Sequence, residues 1–225
     1  MLVSRQVLAA SSAYASPYYI VRGMNPGPVM MITSGVHGNE TASIAGAQKL
    51  ADHCATGRYV IHRGTLIIVP RVNQQAYAKK IRGTPDLNRT FPRRQSGKAK
   101  HPLAAAVFQL ARAHQPDWWL DLHEANGLSQ LSPHVLGQTL ITNPGSSSVP
   151  ICRRVIERMN RSISVRNQYF NLKRHELPGS ARTAASRLLK AKSVTVETCW
   201  SLKRAVRIKY QTEIVHHFLR EAGMS

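Results

Sequence analysis

The stretch "PVMMITSGVHGNE", residues 28–40, decides how this chain is read. From Val29 to Val36 it is apolar apart from small polar residues and one glycine, as expected of a strand buried on both faces. It then turns polar: His37 and Glu40 stand three residues apart, with Gly35 and Gly38 around the histidine. Glycines permit a tight turn close to a ligand. The following "ETASIAGAQKLADHC" (40–54) is alanine-rich and predicts a helix. A polar pair where a buried strand meets a helix sits where open α/β sheets bind their ligands, beyond the carboxyl ends of the strands.

The pattern recurs along the chain. "YYIVRG" (18–23) and "GTLIIVPRVN" (64–73) read as further strands, and "DWWLDLHE" (117–124) and "KSVTVET" (192–198) as strands with polar ends. Helices are predicted at 101–114, 149–163 and 179–191. A last helix carries Leu202, Val206, Tyr210, Ile214 and Phe218 as one apolar stripe. Strands alternating with helices imply an α/β fold with a mixed, mostly parallel sheet flanked by helices. Two segments read as irregular: 74–100, longer than an ordinary connection and therefore a candidate for function, and the Gly-, Ser- and Pro-rich 125–150.

Length and composition bound the rest. The 225 residues suit one domain, 1–225, with a substantial core, and 43% hydrophobic residues exclude a disordered chain. No apolar run approaches the ~20 residues of a membrane span. The apolar "VLAA" near the N-terminus is too short for a secretory signal, so the expected location is cytoplasmic. The cysteines, Cys54, Cys152 and Cys199, are far apart and form no metal-binding pair. Thirty-one Lys and Arg against eleven Asp and Glu give a net charge of +20, a field that favours acidic partners. The basic residues are scattered and lack interleaved aromatics, so no specific nucleic-acid module is expected.

The polar strand ends are expected to converge on one crevice, with His37 and Glu40 from the first, His123 from the second and Glu197 from the third. Two imidazoles and a carboxylate with one open position form a common catalytic zinc set. Metal binding makes water acidic enough to ionise near neutral pH, and a neighbouring carboxylate can carry the proton to a leaving group.

The segment "PDLNRTFP" (85–92) adds specificity. Taken in order, "GVHGNE", "DLNRTFP", "LDLHE" and "VTVET" resemble the zinc carboxypeptidase superfamily, nearest its succinylglutamate desuccinylase and aspartoacylase branch. The resemblance runs from about residue 28 to residue 200. It implies a zinc-carboxypeptidase-like fold and one zinc ion per chain held by His37, Glu40 and His123. It implies Glu197 as the general base and Arg89 as the group that polarises the scissile carbonyl. It also implies Asn88, Arg89 and Arg82 as binders of a substrate carboxylate. The expected function is zinc-dependent hydrolysis of an amide in a carboxylate-bearing small molecule or peptide. The first form of this is deacylation of an N-acyl amino acid, the alternative a metallocarboxypeptidase acting on peptides or peptidoglycan fragments. Aspartoacylase-like enzymes commonly add a C-terminal β domain, whereas about 25 residues follow Trp200 here, which implies a more open site. A rival of another class, a catalytically silent polyanion binder, predicts salt-sensitive binding; the complete set of ligands, base and arginine argues against it.

Glu124, next to His123, points to the opposite strand face and is expected to be structural or to support the site indirectly. Trp118 and Trp119 are expected in the core and Trp200 near the site. Tyr169 and Arg182 are further candidates for substrate contact.

Overall fold

The structure, a computed structural model, describes Met1–Ser225. Eight strands form one sheet: β1 (Leu2–Leu8), β2 (Ser16–Arg22), β3 (Asn25–Ser34), β4 (Arg63–Val69), β5 (Trp118–Ala125), β6 (Thr139–Thr142), β7 (Asn171–Arg174) and β8 (Lys192–Cys199). Their order across the sheet is β1-β2-β4-β3-β5-β8-β6-β7. The central four, β4, β3, β5 and β8, run parallel. β2 closes one side antiparallel to β4, and β6 joins the other antiparallel to β8.

Alternation along the central strands assigns each side chain to one of two cores. On β5, Trp118, Leu120 and Leu122 join Met30 and Ile32 of β3 and Val194 and Val196 of β8. The helices α1 (Thr41–Ala55), α4 (Val149–Arg161) and α6 (Arg204–Glu221) cover that face through residues such as Leu50, Val155 and Ile214. On the other face, Met31, Ile67 and Trp119 pack under α3 (Pro102–His114) and α5 (Ala181–Leu188). A short α2 (Gln74–Ala78) completes the set. No helix is long and apolar enough to cross a membrane, and the three cysteines are buried and free.

Five expected strands and the main helices stand where the sequence placed them, within a few residues. Three strands did not emerge from it. β1 has most of its residues at least partly exposed and lacks a core stripe. β6 and β7 are four residues each, and β6 lies inside the stretch read as a loop. The register explains the site. Thr33 pairs with Asp121, Asp121 with Thr195, and His123 with Glu197. These residues share the face of Trp119, so the apolar ladder turns polar at its carboxyl end without a change of strand.

Candidate metal centre

His37 lies in the turn between β3 and α1, and Glu40 immediately precedes the helix. The turn depends on both glycines, for different reasons. Gly35 has a left-handed φ of 66°. Gly38 is required by a backbone approach: a Cβ there would lie 2.0 Å from the Ala76 carbonyl carbon and 2.1 Å from the Tyr77 nitrogen. α2 therefore packs directly on the histidine turn.

His123, from β5, completes a buried triad in which each of the three residues is at most 2% exposed. His37 Nδ1 lies 2.6 Å from Glu40 Oε1, and His123 Nδ1 lies 2.8 Å from Glu40 Oε2. One ligand atom from each residue falls within 4.8 Å of the others. The far nitrogens are held by carboxylates: His37 Nε2 is 3.0 Å from Asp86 Oδ1, and His123 Nε2 is 2.8 Å from Asp121 Oδ2. Asp121 is itself fixed, since Thr33 Oγ1 donates to its Oδ1 at 2.7 Å and Trp119 Nε1 donates to Thr33 Oγ1 at 2.8 Å.

This arrangement fits a cation. A proton on each Nε2 satisfies Asp86 and Asp121 and leaves both Nδ1 lone pairs aimed at an anionic carboxylate. Lone pairs facing a carboxylate at these distances need positive charge between them, from a proton or a metal. Burial alone would lower the His123 imidazole, but Asp121 and Glu40 outweigh it and hold it well above its ordinary value. Burial would raise Glu40, yet the two histidines pull it down to about 2. Asp86 is likewise lowered against its burial, by hydrogen bonds from His37 and Arg82.

Glu197 stands beside His123 in the β5–β8 ladder. Its Oε2 is buried with no hydrogen-bond partner. Burial raises its pKa to about 8; His123 opposes the rise, and Glu40 and Asp121 add to it. A carboxyl group poised near neutral pH beside a candidate metal site can accept and return a proton.

A cleft of about 210 Å³ opens over the triad and is lined by Glu197, Arg82, Asn88 and Arg89, among others. A larger groove, about 480 Å³ between α1 and α6, lies on the helical face away from the strand ends and holds no comparable chemistry. Asn88 and Arg89 come from a 3-10 turn, Leu87–Arg89, capped by the Asp86 side chain, which accepts from the Asn88 N–H at 2.9 Å. Asn88 Oδ1 accepts from the Ala181 N–H at 2.9 Å, and its Nδ2 lies 3.5 Å from His123 Nε2. Arg89 Nη1 donates to the Asn88 carbonyl at 2.8 Å, and Arg82 Nη2 donates to Asp86 Oδ2 at 2.9 Å. Both arginine side chains remain nearly half exposed, at 45% and 48%.

Every residue singled out for metal, base or carboxylate binding thus lines one cleft. Trp200 lines it too. Glu124 is structural: it accepts from the Ala42 N–H at 2.7 Å and pairs with Arg207, tying β5 to α1 and α6. Two substrate-contact candidates lie elsewhere. Arg182 is 2% exposed and bonds Thr195 and Asn143 beneath the site; it opens a helix whose first turn is buried, which sequence does not reveal. Tyr169 packs against the core under α4 and α6. The supporting acids Asp86 and Asp121 were the residues missed, although Asp121 precedes His123 by two in one strand and so shares its face.

The family model of the succinylglutamate desuccinylase/aspartoacylase catalytic domain matches residues 26–198. An N-alpha-acetyl-L-2,4-diaminobutyric acid deacetylase from Halomonas elongata is 29% identical over 136 residues, which is 59% of this chain and 38% of the deacetylase. The D,L-carboxypeptidase Csd4 of Helicobacter pylori, in its mDAP-bound form, superposes with a TM-score of 0.79 at 18% identity, over 92% of this chain and 54% of that one. An aspartoacylase family protein from Mesorhizobium loti gives 0.68 at 21% identity, over 99% of this chain and 67% of the other. The chain therefore spans about half the length of Csd4 and less of the deacetylase.

Proposed function

Since the chain belongs to the succinylglutamate desuccinylase/aspartoacylase catalytic-domain family, we propose that it is a zinc-dependent amide hydrolase acting on N-acyl amino acids. The observation that carries this is the convergence of His37, Glu40 and His123 beside a buried Glu197, under two half-exposed arginines. The two imidazoles and one carboxylate would hold one zinc ion, a donor set that suits this metal. When bound, zinc supplies Lewis acidity and makes water a stronger acid.

The chain's own groups do the rest. Arg82, Asn88 and Arg89 bind and orient the substrate carboxylate, for which a guanidinium fork offers two-point contact. Glu197 takes a proton from the attacking water as the new C–O bond forms. Negative charge grows on the former carbonyl oxygen, and Arg89 stabilises it; one such donor is worth roughly 3–4 kcal/mol in a water-poor site. Glu197 then passes its proton to the amide nitrogen as the C–N bond breaks, giving a carboxylic acid and a free amine. Asp86 and Asp121 keep both histidines oriented, with Nδ1 unprotonated.

A second reading, removal of a terminal residue from a peptide, draws on the likeness of fold to Csd4. A panel of N-acyl amino acids against short peptides, offered to the zinc-reconstituted chain, separates the two. Release of free amino acid from the acylated panel supports the deacylase. Turnover of peptides alone replaces that reading with the carboxypeptidase.

A further inference from the structure

The cleft is lined by two unlike sets of residues. Arg82 and Arg89, on the segment between β4 and α3, make one part cationic. Leu136, Leu177 and Trp200 make another part apolar. These three come from the β5–β6 connection, the β7–α5 connection and the residue after β8, and all are partly exposed.

The apolar part is built into the fold. Trp200 N–H donates to the Ala125 carbonyl at 3.0 Å, extending the β5–β8 ladder by one step. The loop carrying Leu136 is closed by the Ser129 N–H, which donates to the Gly137 carbonyl at 3.0 Å. Its two arms touch where glycine is obligatory: a Cβ on Gly137 would lie 2.2 Å from the Gly127 carbonyl oxygen and 2.7 Å from Cys199 Cβ. Lys173 Nζ pins the same loop by donating to the carbonyls of Pro133 and Val135 at 2.6 and 2.7 Å. Lys173 thereby holds the loop, and Arg207 pairs with Glu124, itself a residue of the cleft lining.

Resting on the amide-hydrolase reading, we infer that Leu136, Leu177 and Trp200 form an acyl site for an uncharged, apolar acyl group. With the amino-acid carboxylate at the arginines, the acyl chain leaves the scissile carbonyl on its other side and meets this wall. A straight aliphatic chain gains from burial there. A succinyl chain brings a second carboxylate against Leu136, Leu177 and Trp200, where it loses hydration unrepaid. The chain's specificity therefore departs from the succinyl group that the family description names.

The test compares N-acetyl-, N-butyryl-, N-hexanoyl- and N-succinyl-L-alanine, which share one leaving amino acid. Binding is measured by calorimetry on zinc-loaded Glu197→Gln, and turnover on the wild type. Affinity should rise up to about fourfold per methylene in contact with the wall, the equivalent of about 0.8 kcal/mol. N-Hexanoyl-alanine should bind at least about tenfold more tightly than N-succinyl-alanine. Trp200→Ala should remove most of the chain-length gain. Leu136→Lys, at a partly exposed position, should shift the preference towards the succinyl compound. Equal or tighter succinyl binding by the parent, absence of binding by the whole panel, or an unchanged ratio in Leu136→Lys would overturn the acyl site. If the apolar preference holds and the wild type cleaves none of the panel, Leu136, Leu177 and Trp200 stand as an apolar binding wall and the deacylase reading falls.

Discussion

Asp121→Asn replaces one oxygen by an NH2 group in a fully buried position, and its consequence can be worked through the hydrogen bonds. Trp119 Nε1 donates to Thr33 Oγ1, so the Thr33 proton is directed to Asp121 Oδ1 at 2.7 Å. In the variant an amide oxygen must stay on that side, which turns the NH2 towards His123 Nε2, 2.8 Å away in the parent. Two donors cannot face each other there, so the imidazole proton moves to Nδ1. That is the atom facing Glu40, through which His123 would bind the metal. Loss of such a supporting carboxylate typically costs about 10–100-fold in metal affinity, or about 1.4–2.8 kcal/mol at 1.4 kcal/mol per decade. Zinc affinity is measured by competition with a chromophoric chelator, alongside a thermal melt showing that the variant folds. A folded Asp121→Asn that binds zinc within about twofold of wild type, against the 10–100-fold loss expected, would refute this reasoning. It would mean that Asp121 does not set the tautomer or that His123 does not bind through Nδ1.

Other outcomes follow from the same geometry. Gly38→Ala drives a methyl group into the Ala76–Tyr77 backbone; overpacking against backbone should cost about 3 kcal/mol and lower Tm by about 6–12 °C, and an unchanged melt would place α2 away from the histidine turn. In the metal-free protein, burial raises Glu197 from 4.5 to about 8. The folded state then keeps a proton that the unfolded chain releases, so this group makes stability fall as pH rises across that interval. Glu40 and Asp86 act in the opposite sense, their contribution being present at neutral pH and lost on acidification. Urea melts of Glu197→Gln between about pH 5 and 8 should therefore show a flatter decline than wild type, and an identical slope would argue against a proton on Glu197. With zinc restored, the same variant should lose about 10²–10⁴-fold in kcat. Arg89→Ala should lower kcat by about 10²–10³-fold and raise KM as well, whereas Arg82→Ala should act mainly on KM; an unchanged kcat in Arg89→Ala would remove its role at the oxyanion.

The central strands were legible because burial on both faces leaves long apolar runs, as in β3, β5 and β8. The triad was legible because each member sits where such a run turns polar. β6 was not: "TLIT" is too short to show a period and lies in a Gly- and Ser-rich stretch, and its strand character comes from pairing with β8. The glycines around His37 suggest room for a ligand, whereas the group that approaches Gly38 is the backbone of α2, a long-range packing that local sequence does not encode. Arg182 looked available because charged residues are usually exposed. Here it opens α5 beneath the sheet end, where Asn143 and Thr195 satisfy it. Asp121 shows the converse: parity along β5 placed it on the His123 face, and only the distance of 2.8 Å gave it a role.

On the proposed function, "GVHGNE" and "LDLHE" build one metal site on which amide hydrolysis depends. Elemental analysis of the purified chain and of His37→Ala, with hydrolysis of N-acyl amino acids assayed in parallel, tests it most directly. One zinc ion per chain, lost together with activity in His37→Ala, is the expected result. A wild-type chain that takes up no metal when zinc is supplied, or that cleaves its substrate equally well after His37→Ala, would contradict it.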